Sequence, residues 1–136
     1  MKKYLIFMLS IAFFTSCQKN FNERIIEETR DYTSRQCPKN VEPGNQLDSL
    51  TYSTTTRTIT YWYSLSGDKA DSTYLATLKN KPEMYRTNTL RNLINDTNWE
   101  GYKKENINFR YVYRLAETGQ QVFEILLTPA DYQTKK

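Results

Sequence analysis

The sequence predicts an α+β domain: a four-stranded antiparallel sheet with helices packed on one face, in the chain order α-ββ-α-ββ. Three observations predict it. Residues 57–65 and 107–115 alternate apolar and polar side chains with a period of two, the signature of half-buried strands. Each has a second strand-like run next to it in sequence, separated by a few residues. Ahead of each pair, at residues 21–35 and 82–97, apolar residues recur at helical spacing.

The chain opens with an address segment. Lys2 and Lys3 precede an apolar run over residues 4–14, and Thr15-Ser16 then lead to Cys17. The run has the length of a signal-peptide core and is too short to cross about 30 Å of hydrocarbon as a helix. This order of charge, apolar core, small residues and cysteine resembles the signal of bacterial lipoproteins, with Phe14 where leucine is usual. The resemblance implies removal of residues 1–16 and lipid, such as palmitate, on Cys17. Residues 17–20 then tether a single domain of residues 21–136 to a membrane. A durable anchor needs several acyl chains, since each buried CH₂ contributes about 0.8 kcal/mol and one chain holds only marginally. Gln18, where an aspartate would retain a lipoprotein in the inner membrane, favours the outer membrane of a bacterial envelope.

Within the domain, Asn20 and Glu23 have capping-box spacing, and Phe21, Ile25, Thr29 and Tyr32 form the apolar stripe of the first helix. Cys37-Pro38 ends that helix, because a residue before proline avoids helical backbone. Residues 41–46, containing Pro43-Gly44-Asn45, read as a loop. Residues 47–53 and 57–65 form the first hairpin, with Thr54-Thr55-Thr56 as its turn. Residues 71–80 form a short helix capped by Asp71 or Ser72, with Leu75 and Leu78 inward. Pro82 suits the first turn of a following helix, for which Asn80 and Glu83 again have capping-box spacing. Tyr85, Leu90, Leu93, Ile94 and Thr97 form that helix's apolar face. Residues 99–102 read as a turn or a short helical segment. Residues 107–115 and 121–128 form the second hairpin around Glu117-Thr118-Gly119, where glycine supplies a positive φ. Pro129 stops the last strand, and residues 132–136 read as a polar tail.

Composition narrows the function. The formal charge falls from +4 to +2 once the two lysines of residues 1–16 are removed, too little to argue for nucleic acid. The chain has no histidine, which removes Ser-His-Asp and Cys-His catalysis and His-bearing zinc sites. Cys37 has no second thiol to pair with in the mature chain and reads as a buried, inert residue or an intermolecular one. Acids are scattered along solvated faces and the four glycines never form a phosphate-cradling run. No metal, cofactor or enzymatic activity is expected.

Cys37-Pro38, Leu47-Asp48-Ser49, the run Thr60-Tyr61-Trp62-Tyr63-Ser64-Leu65-Ser66-Gly67 and Asn108-Phe109-Arg110-Tyr111-Val112-Tyr113 together resemble a group of small lipoproteins of Bacteroides-type bacteria. The resemblance covers most of residues 36–128. It implies the fold and an envelope location, and no activity. Such bacteria attach O-glycans at Asp-Ser/Thr-apolar sites, a pattern that Asp48-Ser49-Leu50 fits, so Ser49 is a candidate glycosylation site.

The sheet face turned away from the helices would carry Trp62, Arg110, Val112, Arg114 and Leu126 among threonine, serine, asparagine and glutamate. Tryptophan and arginine are the residue types enriched at binding hot spots. The leading expectation is a non-enzymatic lipoprotein that binds another envelope protein through this face or through an edge strand. The alternative is a periplasmic or surface binder of a small ligand, such as a glycan or peptide, held against Trp62 and the tyrosines.

Overall fold

The computed structural model describes residues 20–133. The readings of residues 1–16 and of Cys17 therefore lie outside the described residues.

The first helix, α1 (Phe21–Gln36), starts where expected: the Asn20 side chain accepts the Glu23 N–H at 2.8 Å. Three strands follow, β1 (Lys39–Glu42), β2 (Asn45–Ser53) and β3 (Thr58–Leu65). A 3₁₀ turn leads to α2 (Ser72–Asn80) and α3 (Pro82–Asn95), and a second 3₁₀ turn leads to the short α4 (Glu100–Lys104). The chain then returns as β4 (Asn108–Leu115), β5 (Gln121–Leu127) and α5 (Pro129–Gln133).

The sheet corrects the expected architecture in two ways. It has five strands in the order β1-β2-β3-β4-β5, and β3 pairs with β4 in parallel while every other pair is antiparallel. A mixed sheet results because β4 enters beside β3 after a long helical crossover, which a parallel pair requires and a hairpin does not. The extra strand takes in residues 41–42 of the segment expected to be a loop, and residues 45–46 of that segment begin β2. All four residues of β1 are exposed, so no buried-face pattern marked it. Its turn depends on Gly44, at φ +79°, where a Cβ would come within 2.6 Å of the Ser66 carbonyl oxygen. The turn between β2 and β3 has no glycine, and Arg57 takes the positive φ (51°) in its place.

Two further details differ. Lys81, not Asn80, is the N-cap of α3, and it makes no side-chain cap. Residues 134–136 of the expected polar tail lie outside the described residues, and its start is helical and packed: Pro129 starts α5, and Tyr132 is buried, its hydroxyl donating to the Ile107 carbonyl at 2.7 Å. Proline ends a strand and also suits a helix's first turn, so both readings were open at that residue.

The core lies on one side of the sheet. Ile59, Phe109, Ile125 and Leu127 point to it from the strands and meet Ile25 of α1, Leu93 of α3 and Tyr132 of α5. Burying a side chain such as Ile25 contributes about 1.5–3 kcal/mol. α1 is locked to β2 by Thr33, whose hydroxyl donates to the Leu50 carbonyl (3.0 Å) and accepts the Leu50 N–H (2.9 Å). The end of α3 is closed by Lys103 of α4. Its buried ammonium donates to the carbonyls of Leu93 (2.9 Å), Ile94 (3.2 Å) and Asp96 (3.3 Å) and pairs with Glu100 at 2.7 Å. A cation there satisfies helix-end carbonyls and offsets the helix dipole.

Candidate functional site

The opposite sheet face carries no helix. Cross-strand register puts Trp62 beside Val112, Val112 beside Glu124, and Arg110 beside Leu126. Arg110 and Arg114 flank Val112 two residues away on the same strand face. The five residues singled out for partner binding are thus brought together, and Ser49 joins them as the β2 partner of Trp62.

Trp62 is half-buried under two cations. The Arg114 guanidinium carbon lies 4.8 Å from its ring centroid and that of Arg110 lies 5.7 Å away. The indole N–H donates to Thr51 Oγ1 at 2.8 Å. Arg110 directs Nε (3.0 Å) and Nη2 (2.7 Å) to one oxygen of Glu124, which Gln121 also approaches at 3.2 Å. Asp48 accepts from Gln46 at 2.9 Å, accepts from the Ser64 hydroxyl, and lies 3.8 Å from Arg114. Val112 is 0 % exposed beneath this layer and forms its floor, whereas Leu126 is 42 % exposed at its rim. The face has apolar and aromatic area with its charges largely matched: Arg110 is bonded to Glu124, and Arg114 lies 3.8 Å from Asp48 with its Nε buried and unpartnered.

The sheet ends in β1 and β5, and β1 pairs with β2 only over residues 45–47. Beyond that pairing, Thr33 occupies the outward N–H and C=O of Leu50 on β2. At β5, Arg86 of α3 donates to the Leu126 carbonyl at 2.7 Å and pairs with Asp131 at 2.9 Å. Covering or charging an edge in this way prevents strand addition. Cys37 is partly buried, and its thiol pKa is raised by burial first and by nearby Asp48 second. A raised pKa lowers the thiolate fraction a nucleophile needs. Among the described residues no group of acids and cysteines could hold a metal, and no helix is long and apolar enough to cross a membrane.

The covered face holds a feature missed in the sequence. The parallel register sets Tyr61 against Tyr111 and Tyr63 against Tyr113. Both pairs are stacked, with ring centroids 4.7 Å apart. Above them, under α3 and the following turn, lies a cavity of about 220 Å³ lined by these tyrosines with Thr89, Asn92, Asp96 and Trp99. Burial raises the pKa of all four phenols, that of Tyr113 to about 12. The Tyr-x-Tyr pattern present in both strands was the available signal.

A family model described as a domain of unknown function (DUF8479) matches residues 20–123. The chain belongs to the DUF8479 family. No curated protein matches this DUF8479 chain. Two solved structures share its fold. One is a candidate secreted protein of Pseudomonas aeruginosa, 8 % identical, with a TM-score of 0.65 over 85 % of this chain and 99 % of that one. The other is EpsS, the pilotin of the Vibrio vulnificus type 2 secretion system. It is 11 % identical, with a TM-score of 0.61 over 84 % of this chain and 93 % of that one. At such identities the likeness of this DUF8479 member to either protein is one of fold.

Proposed function

We propose that the chain is a non-enzymatic lipoprotein of the bacterial envelope, held at the outer membrane through Cys17, that docks another envelope protein on its open sheet face. The observation that carries the reading is Trp62, half-buried between Arg110 and Arg114 on a face no helix covers, with Leu126 exposed at its rim. The lipobox-like Phe14-Thr15-Ser16-Cys17 supports the location, and a fold shared with a secretion-system pilotin and a candidate secreted protein fits an envelope role. With side chains blocking β5 and the open part of β2, the face is favoured over strand addition at those strands.

The matched charges specify the partner's chemistry. Docking rests on apolar and aromatic contact, so added salt weakens it little. The test is affinity purification of the tagged, lipidated protein from cross-linked envelopes, beside a Trp62→Ala/Leu126→Glu variant. Leu126 is the better second site because Val112 is buried and its substitution would disturb the fold. A stoichiometric partner retained at high salt and lost in the variant is expected. Absence of a partner in both samples overturns the reading.

A further inference from the structure

Several tyrosine hydroxyls elsewhere among the described residues have protein partners. Tyr132 donates to Ile107, Tyr52 donates to Asn22 Oδ1 at 2.8 Å, and Tyr102 bonds the Glu28 carboxylate. This is the rule for buried phenols, whose rings go inside while the O–H finds an acceptor. The hydroxyls of Tyr61, Tyr63, Tyr111 and Tyr113 have no such partner. None makes a hydrogen bond to another described residue, and none is sealed from solvent, since among the described residues the buried side-chain atoms without a partner are Asn45 Oδ1 and Arg114 Nε. All four residues line the one cavity beneath α3.

We propose that this cavity is a binding site for a neutral, polyhydroxylated small molecule of monosaccharide size. Its volume, about 220 Å³, is below the range of about 300–1,000 Å³ typical of drug-sized ligands. Its lining is built for hydrogen bonds in both directions. The phenols stay protonated and can donate or accept. Thr89 already donates its hydroxyl proton to the Tyr85 carbonyl (2.9 Å), which leaves its oxygen as an acceptor. Asp96 spends Oδ1 on the Asn98 N–H (3.0 Å), which leaves Oδ2. The Asn92 amide adds a donor and an acceptor at the rim. No lysine or arginine lines the cavity, so phosphates and carboxylates are disfavoured. An aromatic cage for ammonium needs open ring faces. Here the tyrosine faces are stacked on one another, and Trp99 is engaged with Tyr61 at 5.9 Å and Phe109 at 6.3 Å. What the rings offer the cavity is mainly their polar tips. The site is on the opposite side of the sheet from Trp62 and stands independently of the docking proposal.

The two tryptophans make the test direct, because Trp99 lines the cavity and Trp62 does not. Indole ¹H–¹⁵N signals of the purified full chain are followed while D-glucose, D-galactose, D-mannose or myo-inositol is added, with glucosamine and glucuronate as charged controls. We expect at least one neutral probe to shift the Trp99 signal saturably and leave that of Trp62 in place. A Tyr63→Phe/Tyr113→Phe variant keeps the stacked rings and should weaken that binding about tenfold or more. Its thermal unfolding, measured alongside, should match the parent's, so that loss of binding is not loss of fold. The proposal is overturned by any of three results: no saturable shift up to about 100 mM probe, where millimolar affinity would be complete; saturation by a charged control alone; or equal binding by the double variant.

Discussion

The two faces of the sheet handle polarity in opposite ways. On the uncovered face most polar side chains are bonded to one another, Trp62 to Thr51, Arg110 to Glu124, and Asp48 to Gln46 and Ser64, while Arg114 Nε is buried without a partner. On the helix-covered face, four phenols that reach solvent through the cavity have no protein partner. The paired face is prepaid for a partner that brings apolar surface, because it asks that partner for few new polar contacts. The unpaired face waits for hydrogen bonds from a small polar molecule. Pre-organisation on one side and open bonding capacity on the other mark different kinds of recognition.

The largest expected effect tests the floor of the uncovered face. Val112→Lys places a cation in a fully buried site flanked by Arg110 and Arg114, and should lower unfolding free energy by about 3 kcal/mol or more in a denaturant titration. Leu126→Lys on the exposed rim of the same face should cost no more than about 0.5 kcal/mol. Equal losses would show that the rim is packed and is no free surface.

Alkali tests the other face. Unfolded tyrosines release their protons near pH 10. Tyr61, Tyr63 and Tyr111 keep theirs to higher pH in the native state, and Tyr113 keeps its proton up to about 12, burial being the main cause in each. Above pH 10 the unfolded chain therefore binds fewer protons than the native one, and stability falls as pH rises. The slope should approach about 1.4 kcal/mol per pH unit for each such tyrosine, while the contribution is fully present below pH 10. Unfolding curves at pH 8, 10 and 11 measure it. A flat profile would mean that the phenols ionise freely in the native state.

Single hydroxyls sharpen the contrast. Tyr132→Phe leaves the Ile107 carbonyl without its 2.7 Å donor and should cost about 1–2 kcal/mol. Tyr63→Phe removes a hydroxyl with no protein partner and should change stability by less than about 0.5 kcal/mol. The smallest effect belongs to the partly exposed Arg110–Glu124 pair: a double-mutant cycle with Arg110→Gln and Glu124→Gln should give a coupling of about 0.2–1 kcal/mol, decreasing in salt.

Which side chains share a sheet face was legible because a period of two is written in the residues themselves, as in Ile59, Tyr61, Tyr63 and Leu65 against Thr60, Trp62 and Ser64. Helix starts were legible where a cap was chemical, as at Asn20 and Asp71, whose side chains accept the N–H groups of Glu23 and Thr73. Strand order was not, because alternation says which face a residue occupies and nothing about which edge a distant strand will join. β1 was hidden by having no buried side to pattern. α5 was hidden by its brevity, although Tyr132 carries its packing. For the candidate site, the membership of Trp62, Arg110, Val112, Arg114 and Leu126 in one face was readable. Their pairings, and the burial of Val112, depend on cross-strand register. The tyrosine cavity depends on the parallel alignment of β3 with β4, which no local signal encodes.

That alignment also has a consequence in time. β3 (Thr58–Leu65) is the central strand, and one of its edges is completed by β4, which begins only at Asn108. As a chain emerges from its N-terminus, β2 can pair with β3 at once, but the other edge of Thr-Ile-Thr-Tyr-Trp-Tyr-Ser-Leu must wait for the whole helical crossover. This strand has no charge, no proline and no glycine, the makeup of a segment that recruits copies of itself when its edge is bare. The crossover that builds the centre of the finished sheet therefore makes its half-made form adhesive, and a chain truncated before Asn108 should self-associate, as light scattering would register, while the complete chain stays dispersed.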